Sequence, residues 1–282
     1  IDMLKSVEPD EWRYAEQARV AELAFQFQER GSTVGFVYQM APRLNEYPAE
    51  DLLAAPYLME GFKPNLIKDL LSRMTPDNVL VELAMPDFQS STVEPWFEVP
   101  FAIAQGPVPL TTADNPPLGL PAANPFLPES LSLLEPDDEA IALAIDQPGM
   151  QLWLDTDVSF TTPRANIAIE LAVPGGLVSL RDTSMASLFA RLVNDELTQS
   201  TYPALLAGLG YQLGATASGF GIRISGYNDK QSEFLAFVLD QLLTVPLAES
   251  RFNSIKQSLM RDLENAAKDK PYNQTLTALN DT

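Results

Sequence analysis

YQLGATASGFGIRISGYNDKQ, Tyr211 to Gln231, is the stretch on which the reading of the fold turns. Tyr211, Leu213 and Ala215 alternate with small or polar neighbours, and Phe220, Ile222 and Ile224 alternate again after Ser218-Gly219. A period of two on both sides of a glycine-bearing turn predicts an antiparallel hairpin with one apolar face. Asp229 stands where a helix cap belongs, and Phe234, Phe237 and Val238 follow at helical spacing.

The same logic extends in both directions. Upstream, Met150 to Leu154 reads as a strand, and Ala165, Ile167, Ile169, Leu171 and Val173 alternate strictly, as a half-buried strand does. Pro174-Gly175-Gly176 makes a turn, and from about Asp182 the residues Met185, Leu188, Phe189 and Leu192 mark one face of a helix. Downstream, Phe252, Ile255, Leu259 and Leu263 predict a last helix. Strand, strand, helix, strand, strand, helix, helix is an α+β order.

The first part of the chain has its own pattern. Pro9-Asp10-Glu11 opens a helix, with proline in the first turn and acids at the positive end of the dipole. Val20, Leu23, Ala24 and Phe27 form its apolar stripe, and it is expected to stop near Gly31. Shorter helical stretches are expected around Ala49 to Ala55 and Pro64 to Met74, and Asn78 to Ala84 reads as a Val/Leu-rich strand. From Met85 to Gln147 prolines recur and periodicity vanishes, so this stretch is expected to be a stiff, extended linker packed along a surface. Its acid run, Asp137, Asp138 and Glu139, reads as a solvated loop. The organisation is therefore residues 1–85, a proline-rich linker over 86–147, and residues 148–282.

Composition excludes most familiar chemistry. The 282 residues are 46% hydrophobic and 20% charged, enough apolar mass for one or two cores. A net charge of -20 repels phosphate backbones and anionic lipid, so nucleic acid is not an expected partner. No run approaches the roughly 18 apolar residues of a membrane span. There is no cysteine and no histidine, which removes thiolate nucleophiles, the Ser-His-Asp triad and the usual zinc shells. Walker A, G-x-G-x-x-G and G-x-S-x-G patterns are absent, and Gly208, Gly210 and Gly214 have the wrong spacing for a dinucleotide loop. A carboxylate pair or a Ser-Lys dyad needs no imidazole, yet neither leaves a local fingerprint. Asn194, Asp195 and Glu196 sit late on their helix and read as a solvated face. No catalytic, cofactor-binding or metal-ligating residue is expected in the chain. The opening Ile1-Asp2-Met3-Leu4 carries no basic or apolar leader, so the chain reads as a piece of a longer protein.

Several segments together resemble the pitrilysin/insulin-degrading-enzyme (insulinase, inverzincin) family of zinc metallopeptidases. They are Pro9 to Trp12 through Ala24 to Phe27, Tyr47 to Leu53 with Tyr57-Leu58, and Phe62 to Ile67 with Thr75 to Val79. Asn124-Pro125-Phe126-Leu127-Pro128, Leu205 to Tyr211 and Gly226-Tyr227-Asn228-Asp229-Lys230-Gln231 continue the match, the last being the most specific. The resemblance implies two partial α/β-sandwich domains, the end of the family's second domain and the beginning of its inactive third. It also implies that zinc and the H-x-x-E-H motif belong to another domain of the parent. The helix from Met185 to Leu197 would be the counterpart of the zinc-binding helix, carrying Arg191, Asn194 and Asp195 and no imidazole. This segment would then contribute chamber wall and inter-domain contacts, with the remaining domains of the parent as partners and peptides as the parent's substrates. A wholly non-catalytic scaffold relative, or an unrelated acidic binding protein, is the alternative. Lack of cysteine is compatible with the periplasm of a bacterial parent. An unpaired strand at Asn78 to Ala84 would favour self-association of the fragment.

Overall fold

The computed structural model describes residues 1–28, 31–106, 118–133, 141–157, 161–244, 246 and 248–280. The chain is α+β and divides into two compact units, one of residues 1–22 and 31–123, the other of residues 23–30 and 124–282. Pro107, Pro109, Pro116, Pro117 and Pro136 and the acid run Asp137-Asp138-Glu139 lie outside the described residues.

The first unit is helical. α1 (Asp2–Ser6), most of α2 (Glu11–Gln26), α3 (Thr33–Arg43) and α4 (Pro64–Arg73) belong to it. Ser32 starts α3, its Oγ accepting from the Gly35 amide at 3.1 Å. Lys5 Nζ donates to the Met74 carbonyl at 2.9 Å, and the Tyr14 hydroxyl accepts from the Gly61 amide at 2.7 Å. These polar ties matter because α1, α3 and α4 bury no residue completely. Val34, Phe36, Val37 and Tyr38 on α3 and Leu66 and Leu70 on α4 all face outward.

Two expectations for this unit need correction. Residues 49–54 form turns followed by a single 3₁₀ turn, Ala55–Tyr57, instead of an α-helix. Pro56 supplies no amide for the Leu52 carbonyl, which accepts from Arg43 Nη1 at 3.5 Å instead. Residues 78–84 form no strand: Leu80 is 93% exposed and no strand of the described residues lies beside it. Val/Leu-rich composition suits a strand, but a strand exists only through its ladder.

The second unit holds the core. β3 (Arg164–Ala172), β4 (Gly210–Ala215) and β5 (Gly219–Tyr227) make an antiparallel sheet in the order β3-β5-β4. The hairpin read from Tyr211 to Ile224 is thus β4-β5. α5 (Leu180–Leu206) and α6 (Gln231–Thr244) pack on it. Ala190, Val193 and Leu197 of α5 and Phe234 and Val238 of α6 close over Leu213, Ile222 and Ile224 in one apolar cluster. α7 (Glu249–Ala266) and α8 (Pro271–Asn280) follow, and Leu263 of α7 is 62% exposed, outside the half-buried stripe of Phe252, Ile255 and Leu259.

The proline-rich stretch is regular at its end and anchored in its middle. Ala142–Gln147 forms β1, which pairs with β2 (Met150–Leu154), so the loss of periodicity expected up to Gln147 stops earlier. Pro148-Gly149 turns between them, with Gly149 at φ 84° as the third residue of a type II turn requires. Alternation is hidden here because both faces of this two-stranded sheet are exposed and its register shifts between Leu143 and Ile145. Phe126 inserts into the core, its ring 5.3 Å from Phe234 and 6.1 Å from Phe237.

Candidate functional site

α5 is the element on which any catalytic reading would depend. Ser179 caps it, its Oγ accepting from the Asp182 amide at 3.0 Å and donating to the Asp182 carboxylate at 2.5 Å. The helix then runs 27 residues, about 40 Å, beyond the Leu197 limit of its sequence resemblance. Pro203 lies in its last turn, and the helix ends three residues later at Leu206. Ala186, Ala190, Val193, Leu197 and Ala204 fix the buried stripe, which decides where the polar residues point.

Arg191, Asn194 and Asp195 stand at i, i+3 and i+4, and each is already engaged. Arg191 Nη1 meets Asp262 Oδ2 of α7 at 2.5 Å. Asp195 Oδ2 receives Arg251 Nη2 at 2.5 Å and Nε at 2.8 Å. Asn194 Nδ2 donates to the Leu213 carbonyl of β4 at 2.9 Å. The mutual bonds of Thr216 and Gly219 place the even residues of β4 in the ladder with β5, so the Leu213 carbonyl points to the outer edge. Asn194 therefore seals part of that edge. These three residues do not fit a zinc ion: one is a cation, one carboxylate is held by a guanidinium, and an amide is spent on the sheet. Among the described residues no group of three or more His, Cys, Asp or Glu side chains could hold a metal.

The Gly226 to Gln231 run is a second concentration of polar contacts. Gly226 has φ 127°, and a Cβ there would stand 2.2 Å from the Gly208 carbonyl oxygen, so the chain passes where only glycine fits. The buried Tyr227 hydroxyl donates to the Leu23 carbonyl at 3.2 Å. Asp229, expected to cap a helix, instead accepts from the amides of Glu129 and Ser130 at 2.8 and 3.3 Å. Lys230 pairs with Glu129 at 2.9 Å, and that hydrogen bond pushes the ammonium above its ordinary range. Gln231, 3% exposed, donates from Nε2 to the carbonyls of Ala165 at 2.6 Å and Gly226 at 2.9 Å. The Tyr227 hydroxyl, Asp229 Oδ2, Lys230 Nζ and Gln231 Nε2 are all engaged in holding the chain. Sequence reading missed these roles because the partners lie about a hundred residues away, as with Asp229 and Glu129.

One buried side-chain polar atom has no partner among the described residues: the hydroxyl oxygen of Tyr211. Burial pushes this phenol up to about 12. Tyr211 lies by a cleft of about 410 Å³ on the sheet, which Asn166, Gln212, Arg223 and Ser225 also line. The cleft contains no nucleophile-base pair, so it supplies a surface and not a reaction.

At the opposite edge the sheet is open. Val173 donates to Ser218 at 2.8 Å and Asn228 to Pro163 at 3.0 Å, which places the odd residues of β3 in the ladder with β5. Asn166, Ala168 and Glu170 consequently turn their backbone groups to an edge with no strand beside it among the described residues. The core-facing row beside that edge is incompletely covered, with Ile167 and Ile169 half-buried and Leu171 40% exposed.

Comparison with known proteins places this architecture. Residues 25–281 match a family model described as the middle or third domain of peptidase M16. Human insulin-degrading enzyme is 32% identical over 286 residues, covering 98% of this chain and 28% of that protein. The peroxisomal insulin-degrading enzyme-like 1 of Arabidopsis thaliana is 26% identical over 98% of this chain and 29% of its own length. The crystal structure of pitrilysin superposes with a TM-score of 0.74 at 19% identity, covering 98% of this chain and 30% of the other. The chain thus spans less than a third of the relatives it matches. A family model matching residues 25–281 and 32% identity over nearly the whole chain lead to one statement: this chain belongs to the M16 (insulinase, pitrilysin) peptidase family, as its middle-domain segment.

Proposed function

We propose that the chain is the non-catalytic middle of an insulinase-like zinc metalloendopeptidase. In this reading residues 1–85 are the end of the parent's second domain, 86–147 join the halves, and 148–282 begin the third. It forms part of the wall of a peptide-degradation chamber, while zinc and the water-activating residues reside in another domain of the parent. The observation that carries the reading is the state of α5, where Arg191, Asn194 and Asp195 are bound to α7 and β4 and leave no donor set for a metal. The surface supports the partner assignment. The remaining domains of the parent are the natural cover for the open β3 edge and the apolar faces of α3 and α4.

The test compares this chain with the intact protein. Peptide cleavage and zinc content are expected in the intact protein and in neither case from residues 1–282 alone. Cleavage by the purified chain, or stoichiometric zinc on it, would sink the reading. An intact protein without an H-x-x-E-H motif and without cleavage would favour the scaffold alternative.

A further inference from the structure

The two ion pairs between α5 and α7 run in opposite senses, and we propose that they form a charge clamp fixing α7 in one register on α5. The proposal rests on reading the chain as non-catalytic, and it gives Arg191 and Asp195 a positioning role at the place where that reading denies them chemistry. α7 needs such a device. It has no side-chain N-cap and no buried residue, and only Phe252, Ile255 and Leu259 are half-buried along its apolar stripe. Apolar attraction is non-directional, so a shallow stripe alone tolerates sliding by a turn.

Charge removes that freedom. Arg191 on α5 faces Asp262 on α7, and four residues on, Asp195 faces Arg251. The order is reversed between the helices, so α7 runs back along α5. A slide of one turn would bring Ser258 or Ala266 toward Arg191 and leave all four charges unmatched. Running α7 the other way would set Arg251 against Arg191 and Asp262 against Asp195. Asn194 completes the device from the same helix face by gripping the Leu213 carbonyl, so α5 ties α7 and β4 together. The pairs are accessible, with side-chain exposures of 43% and 53% in one and 55% and 27% in the other. Exposed pairs contribute little to global stability, so the clamp acts on the placement of α7 and not on whether the core folds. Both pairs also carry a guanidinium, which repels a divalent cation from this face.

Amide hydrogen exchange on the full chain tests the clamp. Arg191→Glu opposes Asp262 with a like charge, and α7 amides are expected to exchange roughly three- to tenfold faster. Exchange in β5 should stay unchanged, which reports that the core is intact. The paired variant Arg191→Glu with Asp262→Arg should return α7 to its original protection. Should Arg191→Glu loosen β5 as well, Arg191→Gln is read against the same criteria. Unchanged α7 exchange in the single variants, or no recovery in the paired one, overturns the clamp. Stoichiometric zinc on the unmodified chain overturns the non-catalytic reading instead, so the two failures are separable.

Discussion

Tyr211 shows how a single residue can carry a pH dependence with no catalytic meaning. Its hydroxyl is buried without a partner among the described residues, and burial disfavours the phenolate. The folded chain therefore keeps this proton, up to about 12, where the unfolded chain releases it near 10.0. Stability from this group is whole below pH 10, and it declines as pH rises from there through the folded value. Tyr211→Phe should raise the stability measured by urea unfolding at pH 7 by about 1 kcal/mol, since an unpartnered hydroxyl is removed. The variant should also flatten the decline between pH 10 and 12. A variant less stable at pH 7 would mean that the hydroxyl has a bonding partner. Tyr211 was legible in the sequence as an inward strand residue, and its orphaned oxygen was not, because alternation reports which face a side chain takes and not what waits there. The Gly226 to Gln231 run shows the same limit. Its distinctiveness was readable, but Asp229 looked like a local cap, and only the fold brings Glu129 and Ser130 to it.

At the level of elements, legibility followed the source of each element's stability. β3, β4 and β5 lie against one core, so their alternation survives in the sequence. α5 was readable from Asp182 because its cap and apolar spacing are local. α3 was not, since Gly35 and Pro42 weaken the helical signal and its apolar residues Val34, Phe36, Val37 and Tyr38 face outward. Residues 78–84 failed in the opposite direction, with strand composition and no neighbour to pair with among the described residues. Asn124 and Phe126 lie between these cases, recognised as part of a joining stretch yet acting as a core element. Asn124 Nδ2 donates to the Pro203 carbonyl at 2.7 Å, and its Oδ1 accepts from the Phe126 amide at 3.0 Å. Phe126→Ala should destabilise the second unit by about 3 kcal/mol, because a ring packed on Phe234 and Phe237 leaves a cavity. Thermal unfolding followed by near-ultraviolet circular dichroism measures it, and a loss well under 1 kcal/mol would show that this stretch merely lies on the surface.

For the whole molecule, exposed apolar surface and a net charge of -20 act against each other. Leu80, Leu83 and the outward faces of α3 and α4 favour association, and the charge holds copies apart over a range set by salt. The chain alone should therefore shift from monomer toward dimer as sodium chloride rises from about 0.01 to 0.5 M, where screening shortens the Debye length from about 30 Å to below 10 Å. Light scattering at each salt concentration reads this directly, and a monomer throughout would show that the apolar surface is not adhesive. The division of the chain also has a consequence for heredity. Residues 23–30 belong with residues 124–282, although residues 31–123 of the other unit intervene. Leu23 supplies the acceptor for the Tyr227 hydroxyl, and Phe27 sets its ring 5.8 Å from that of Tyr227. A gene exchange with its crossover at codon 124 would deliver the sheet, α5 and α6 while leaving behind Leu23 and Phe27, which pack on Tyr227. The second unit thus draws on two separated stretches of the chain, and a crossover between them is expected to lower its thermal stability.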